Sequence, residues 1–201
     1  MNIFFDFDGT LIDSHRRLYE LFQFLIPEST LSFNEYWDLK RNQIDHKTIL
    51  KKYFGINNSQ PFEKEWMKKI ETKKYLDLDK PHEGVTEYLI YLKNKNLSLY
   101  LITDRQLPRG VYYQLNKFGW VNFFDAILIT AQKYSKEDLI KPLISTNKAD
   151  YIVGDTGKDI LTGKNLKIKS IAVSNGFLSK EILEKYRPDA IYNKVTDFHP
   201  E

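Results

Sequence analysis

Two carboxylates spaced one residue apart, Asp6 and Asp8, close the apolar run Ile3-Phe4-Phe5, and Gly9 and Thr10 follow at once. Alternate residues of an extended chain share a face, so both acids would point together if the strand ran through them. Gly9 permits the turn that stops it. Two ionised carboxylates about 4 Å apart repel by roughly 4 kcal/mol at an effective dielectric near 20. A divalent cation relieves such a pair, and carboxylate oxygens suit magnesium.

Further polar residues stand at comparable places. The apolar stretch 97–102 runs into Thr103-Asp104-Arg105, and Tyr151-Ile152-Val153 runs into Gly154-Asp155, with Thr156-Gly157-Lys158-Asp159 behind it. Any one of these is a routine turn or helix cap. Ligands of open parallel sheets bind beyond the carboxyl ends of the strands. Three such strands side by side would therefore bring an attacking acid, a hydroxyl and two more acids to one edge.

The elements that must hold these groups follow from periodicity. After Ser14, a candidate helix N-cap, apolar residues recur at helical spacing: Leu18, Leu21, Phe22 and Leu25, ended by Pro27. Three more helical patterns follow, marked by Phe33, Tyr36 and Trp37; by Ile49, Leu50, Tyr53 and Phe54 before Gly55; and by Phe62, Trp66, Met67 and Ile70. They obey the i, i+3, i+4 rule, and no strand is expected between 14 and about 80. Beyond Pro81, helices alternate with strands predicted at 97–102, 126–129, 151–153, 168–173 and 190–192, and with a helical region over 136–147. That alternation argues for an α/β fold with a parallel sheet covered on both faces. The expected division is a core of residues 1–13 and 81–201 and a helical insert of residues 14–80.

The string Asp6-Phe7-Asp8-Gly9-Thr10-Leu11-Ile12-Asp13-Ser14 resembles the first motif of the haloacid dehalogenase superfamily, D-x-D-G-T-[LV]-x-D-S. The resemblance implies a Rossmann-like core with a small all-helical cap inserted after the first strand, and Mg²⁺-dependent phosphatase chemistry through an aspartyl-phosphate. It makes Asp6 the nucleophile and Asp8 the general acid and base. Thr103 matches the second motif, whose hydroxyl bonds the phosphoryl group, and Asp104 stands where many relatives have Asn. Gly154-Asp155-Thr156-Gly157-Lys158-Asp159 matches the fourth motif, G-D-x-x-x-D. Mg²⁺ is then expected on Asp6, Asp155 and the backbone carbonyl of Asp8, with Asp159 in support. The third motif is a lysine, for which Lys133, Lys136 and Lys141 compete. Lys136 is preferred, because the run Lys136-Glu137-Asp138-Leu139-Ile140 resembles relatives in which this lysine opens the helix before the fourth motif, and Ser135 with Asp138 supplies a capping signal there. Pro142 falls awkwardly inside that helix, and a helix beginning at Pro142 would give the role to Lys141.

Substrate-binding candidates are Gly9 and Thr10 in the first turn, Asp104, and Arg41 in the cap, where Lys40, His46 and Lys47 are close by. The implied substrate is a small phosphorylated metabolite of unspecified kind. A sugar-phosphate mutase would retain the same motifs. A non-catalytic module would have no need of clustered acids that repel one another. A dehalogenase would lack the acid at Asp8.

Composition narrows the classes further. Lys+Arg 30 against Asp+Glu 27 leaves +3 in 201 residues, and no block of like charge suggests a nucleic-acid partner. The absence of cysteine excludes disulfides, zinc-thiolate sites and a thiol nucleophile and fits a reducing cytoplasm. Asp6 and Asp8 interrupt the only apolar stretch near the start, so neither a secretory leader nor a membrane partner is expected. A monomer is the default.

Overall fold

A computed structural model describes residues 1–144 and 149–200. The sheet is built on β1 (Asn2–Phe5), whose Ile3, Phe4 and Phe5 are fully buried. A strand apolar on both faces belongs in the middle of a covered parallel sheet. Here β1 lies between β4 (Ser98–Thr103) and β6 (Tyr151–Gly154), pairing Phe5 with both Leu101 and Val153. With β5 (Ala126–Ile129), β7 (Lys169–Val173) and β8 (Ala190–Tyr192) the order is β5-β4-β1-β6-β7-β8, all parallel. The chain first builds outward from β1 on one side and later from β6 on the other. The carboxyl ends of β1 and β6 thus flank the switch point where α/β sheets place their ligands.

Helices cover both faces. Ile3, Phe5 and Leu101 pack against α6 (Val85–Asn94) and α7 (Pro108–Phe118) through Leu89, Leu92, Val111 and Leu115. On the other face Phe4, Ile102 and Ile152 meet Ile140 of α8 (Lys136–Ile140). Ala172 there meets Ile160 of α9 (Gly157–Leu166) and Leu183 of α10 (Lys180–Lys185).

The helical cap holds α1 (His15–Leu25), α2 (Phe33–Arg41), α3 (His46–Phe54), α4 (Gln60–Lys69) and a short α5 (Lys73–Leu76). The periodicity predicts the first four; α5 is a single turn, too brief to show a period. The cap has its own apolar centre of Phe22, Tyr36, Ile49, Leu50 and Phe62. Among the described residues, no helix is long and apolar enough to cross a membrane.

Three expectations need correction. The chain enters and leaves the cap through a two-stranded antiparallel ribbon, β2 (Ile12–Asp13) with β3 (Lys80–Pro81), where no strand was expected. Two-residue strands leave no alternation to read. Ser14 does precede α1, but its buried hydroxyl makes no capping bond; the Asp13 carboxylate takes the His15 N–H instead, at 2.9 Å. The helical region predicted over 136–147 is α8 followed by a 3-10 turn at Lys141–Leu143, and residues 145–147 lie outside the described residues. Pro142 has no N–H for an α-helical bond, and at the start of the tighter turn none is required.

Phe22 is fully buried, with Tyr36, Phe54 and Phe62 rings 4.8 to 6.1 Å from its own. Phe22→Ala should therefore destabilise the cap by about 3–5 kcal/mol. Urea unfolding followed by tryptophan fluorescence measures this, since Trp37 and Trp66 belong to that cluster.

Candidate active site

Three acids converge where β1 and β6 end. Asp6 directly follows β1, its N–H donating to the Val153 carbonyl at 2.8 Å, which extends the ladder by one residue. Asp155 directly follows β6, and Asp159 lies in the first turn of α9. One carboxylate oxygen from each lies within 4.8 Å of the other two, and all three side chains are buried. The chain must come very close to Asp155, and glycines allow it. A Cβ on Gly9 (φ +81°) or on Gly176 would strike the Asp155 carboxylate. Asp155 accepts from the Phe177 N–H at 2.6 Å and the Thr10 hydroxyl at 3.2 Å. Asp159 accepts from the Thr156 hydroxyl at 2.7 Å and the Thr156 N–H at 3.2 Å.

Lys136 balances the cluster. Its Nζ donates to Asp6 Oδ1 and to Asp159 Oδ1, each at 2.6 Å. Its position follows from local sequence. The Ser135 hydroxyl accepts from the Asp138 N–H while the Asp138 carboxylate accepts from the Ser135 N–H, so α8 must begin at Lys136. Lys133 and Lys141, the competing candidates, are exposed. Burial works against the Lys136 charge, yet Asp159 and Asp6 outweigh it and hold the ammonium above its usual range. Asp6 is raised well above the carboxylate range, by burial first and then by Asp159 and Asp155, against the pull of Lys136. Asp155 is pushed up to about 7, by burial and then by Asp159. One ammonium does not fully compensate three buried acids.

Asp8 has different company. Arg105 Nε and Nη2 donate to its two oxygens at 2.5 and 2.7 Å. Arg17 of α1 donates to the same carboxylate. Burial alone would raise this acid, but the two guanidinium groups prevail and hold it well below the usual carboxylate range. Behind them lies Asp79, with Arg17 Nε 3.3 Å from one oxygen and the Gln114 amide donating to the other at 2.7 Å. The Gln114 carbonyl in turn accepts from Arg105 Nη2 at 2.9 Å. Burial pushes Asp79 up to about 6. Arg17, Asp79 and Gln114 escape a reading from periodicity. The available signal was Arg17 itself, a cation beside Leu18 on the apolar stripe of α1.

The remaining sequence candidates divide. Thr103 is buried at the end of β4 and lines the cavity above the acids, as does Asp104, which accepts from the Thr130 hydroxyl at 3.1 Å. Gly9 and Thr10 do not line it. The Gly9 N–H, expected to face a phosphate, donates to the Ile12 carbonyl at 2.8 Å, and Thr10 sits behind Asp155. Arg41 is also off the cavity. Its Nη2 donates to the Ser174 carbonyl at 2.9 Å, and its own carbonyl accepts the Ser179 N–H, so it struts the cap against the core. Neighbouring side chains on a helix point about 100° apart, and on α2 it is Lys40 that faces the cavity. Asp8 entered the expected metal set through its backbone carbonyl; its carboxylate stands outside the acid triad. His46 is held in the cap by the Tyr36 hydroxyl at 2.8 Å.

The arrangement pairs an acid backed by an ammonium with a second acid gripped by arginines, around a buried cluster of oxygen donors. Known proteins with related chains can be set beside it. A pyrophosphatase PpaX from Bacillus mycoides is 25% identical, covering 98% of this chain and 94% of the relative. A pyrophosphatase PpaX from Bacillus velezensis is 27% identical, covering 97% and 93%. The solved structure of a haloacid dehalogenase-like family hydrolase from Streptococcus pneumoniae superposes with a TM-score of 0.77 at 21% identity, covering 96% of this chain and 93% of that one. That likeness speaks for the fold. A sequence model described as haloacid dehalogenase-like hydrolase matches residues 3–173, which reach from β1 to β7 and take in the cap and every acid of the cluster. The chain belongs to the haloacid dehalogenase-like hydrolase family.

Proposed function

We propose that this protein is a Mg²⁺-dependent phosphatase that hydrolyses a small-molecule phosphate monoester through an aspartyl-phosphate on Asp6. The observation that carries this reading is the contact of Lys136 Nζ with Asp6 at 2.6 Å, on the floor of a cavity also lined by Asp8 and Thr103. An Asp6 oxygen attacks phosphorus as the ester P–O bond breaks. Asp8 gives its proton to the departing oxygen, then takes one from the water that attacks the phosphorus of the acyl phosphate. That second step releases phosphate and restores Asp6. Splitting the reaction in this way is ordinary nucleophilic catalysis, and the proton transfers contribute roughly 10²–10⁴ in rate. Lys136 neutralises charge gathering on Asp6 and the phosphoryl oxygens, and the Thr103 hydroxyl donates to one of those oxygens.

The donors fit magnesium. They are three buried carboxylates with no nitrogen or sulfur ligand, the hard oxygen set that ion prefers. Asp6, Asp155 and Asp159 would hold it, with the Asp8 carbonyl alongside. When bound, Mg²⁺ supplies the positive charge that these acids and a phosphoryl group together lack.

The grip on Asp8 has a mechanistic meaning within this reading. Held by Arg17 and Arg105, Asp8 is in its basic form, the one that draws a proton from water. Its acid form requires a guanidinium to withdraw. Arg17 belongs to the first cap helix, so movement of the cap is the means by which Asp8 changes role.

Phosphate release from para-nitrophenyl phosphate at neutral pH should require Mg²⁺, vanish on chelation with EDTA and return when Mg²⁺ is restored in excess. Asp6→Asn should lower turnover by on the order of 10⁴–10⁶-fold, the scale seen when a nucleophile is removed, with an unchanged circular dichroism spectrum. Near-wild-type rates in that variant would refute the covalent mechanism.

A further inference from the structure

The cavity over the acid cluster has a volume of about 520 Å³, and its two ends differ in chemistry. The floor is ionic. The side formed by the cap is mixed: Leu18 of α1, Ile44 of the α2–α3 turn, Trp66 and Met67 of α4 and Ile70 just after it form an apolar wall beside Lys40 and Asp45, with Phe177 opposite. Ile44, Trp66, Met67, Ile70 and Phe177 are only half-buried, so apolar surface is left uncovered where the cavity runs past it.

The buried cations of the cavity floor are already paired with acids. Lys136 is held by Asp6 and Asp159. Arg17 and Arg105 share Asp8 and Asp79. Lys158 sits at the rim, largely exposed, 3.4 Å from Asp104. Lys40, the one cation that the cap itself contributes besides Arg17, donates to the Ile44 carbonyl at 3.3 Å. A departing group with two or more negative charges would have to shed its water against leucine, isoleucine and methionine side chains, with Lys40 alone on the cap side to replace that water.

On the reading that this site is a phosphatase, we infer that its substrate is a phosphate ester of an apolar alcohol about the size of an aromatic ring, and that it is not inorganic pyrophosphate. The phosphoryl group rests on the floor at Asp6, and the organic part lies under Trp66, Met67 and Ile44. The relatives named as pyrophosphatases are 25% and 27% identical to this chain, and on this inference its cap selects a different leaving group.

The test compares esters whose alcohols have similar acidity and different apolar surface. With Mg²⁺ and the full chain, kcat/KM for 2-phenylethyl phosphate should exceed that for ethyl phosphate by about 10–100-fold, on the scale of a few buried methylenes. Inorganic pyrophosphate should fall below both. Met67→Asn should reduce the phenylethyl-to-ethyl ratio by about tenfold, because it puts an amide into the apolar wall. Titration calorimetry with the Asp6→Asn protein supplies a readout independent of turnover. 2-Phenylethyl phosphate should bind more tightly than ethyl phosphate and with a more negative heat-capacity change. A preference for pyrophosphate or ethyl phosphate, in turnover or in binding, would overturn this inference while leaving the phosphatase intact. Selective binding of the phenylethyl ester without turnover of any ester would instead support the apolar subsite and remove the phosphatase reading.

Discussion

A single buried ammonium makes the rest of the site possible. Asp6, Asp155 and Asp159 occupy one small volume at the end of the sheet, and carboxylates so close repel by several kcal/mol per pair, about 4 kcal/mol at 4 Å and an effective dielectric near 20. Lys136 touches two of the three. Removing one partner from such a buried set typically costs about 3–5 kcal/mol, because the others are left uncompensated. The position of Lys136 depends on very little chain. A serine cap starts a five-residue helix, and Ile140 at its far end anchors it in the apolar layer against Phe4 and Ile152. The helix places the charge, and the sheet holds the helix.

The second ionic group does a different task. Asp8 and Arg105 belong to the core, Arg17 to the first cap helix, and Asp79 to the segment by which the chain returns. Their mutual contacts fasten cap to core at the point where chemistry occurs. Arg17 Nη1 and Arg105 Nη1 remain buried without a partner among the described residues. A buried donor left unpaired is costly.

How far the sequence disclosed this depended on the type of constraint. Asp6, Thr103 and Asp155 were legible because the ends of buried strands in a parallel sheet have a known destination, and apolar strands are easy to see. Lys136 was favoured by the resemblance of the run it opens and by the Ser135–Asp138 capping pair, and only its burial against Asp6 and Asp159 separates it from the exposed Lys133 and Lys141. Arg17, Asp79 and Gln114 were not legible, since their importance arises only when Arg17 of α1 and Gln114 of α7, far apart in the chain, both reach Asp79. Arg41 was mistaken for a cavity residue because a basic pair does not reveal which of two neighbours faces inward. Thr10 was taken for a substrate contact from its place in the motif, when its hydroxyl steadies Asp155 from behind.

The ribbon of β2 and β3 has a consequence for how such a molecule can change. Directly opposed residues of an antiparallel pair lie only about 4.5–5.5 Å apart at Cα, so residues 13 and 80 are neighbours in space although the whole cap separates them along the chain. To the sheet, the cap is a side branch with a narrow stem. Doubling the length of a flexible loop between fixed ends adds only about 0.6 kcal/mol of closure entropy. A stem of this kind can therefore carry inserts of very different size without disturbing the strands beneath. Along the chain, the cap and the sheet are joined at the four residues of this ribbon.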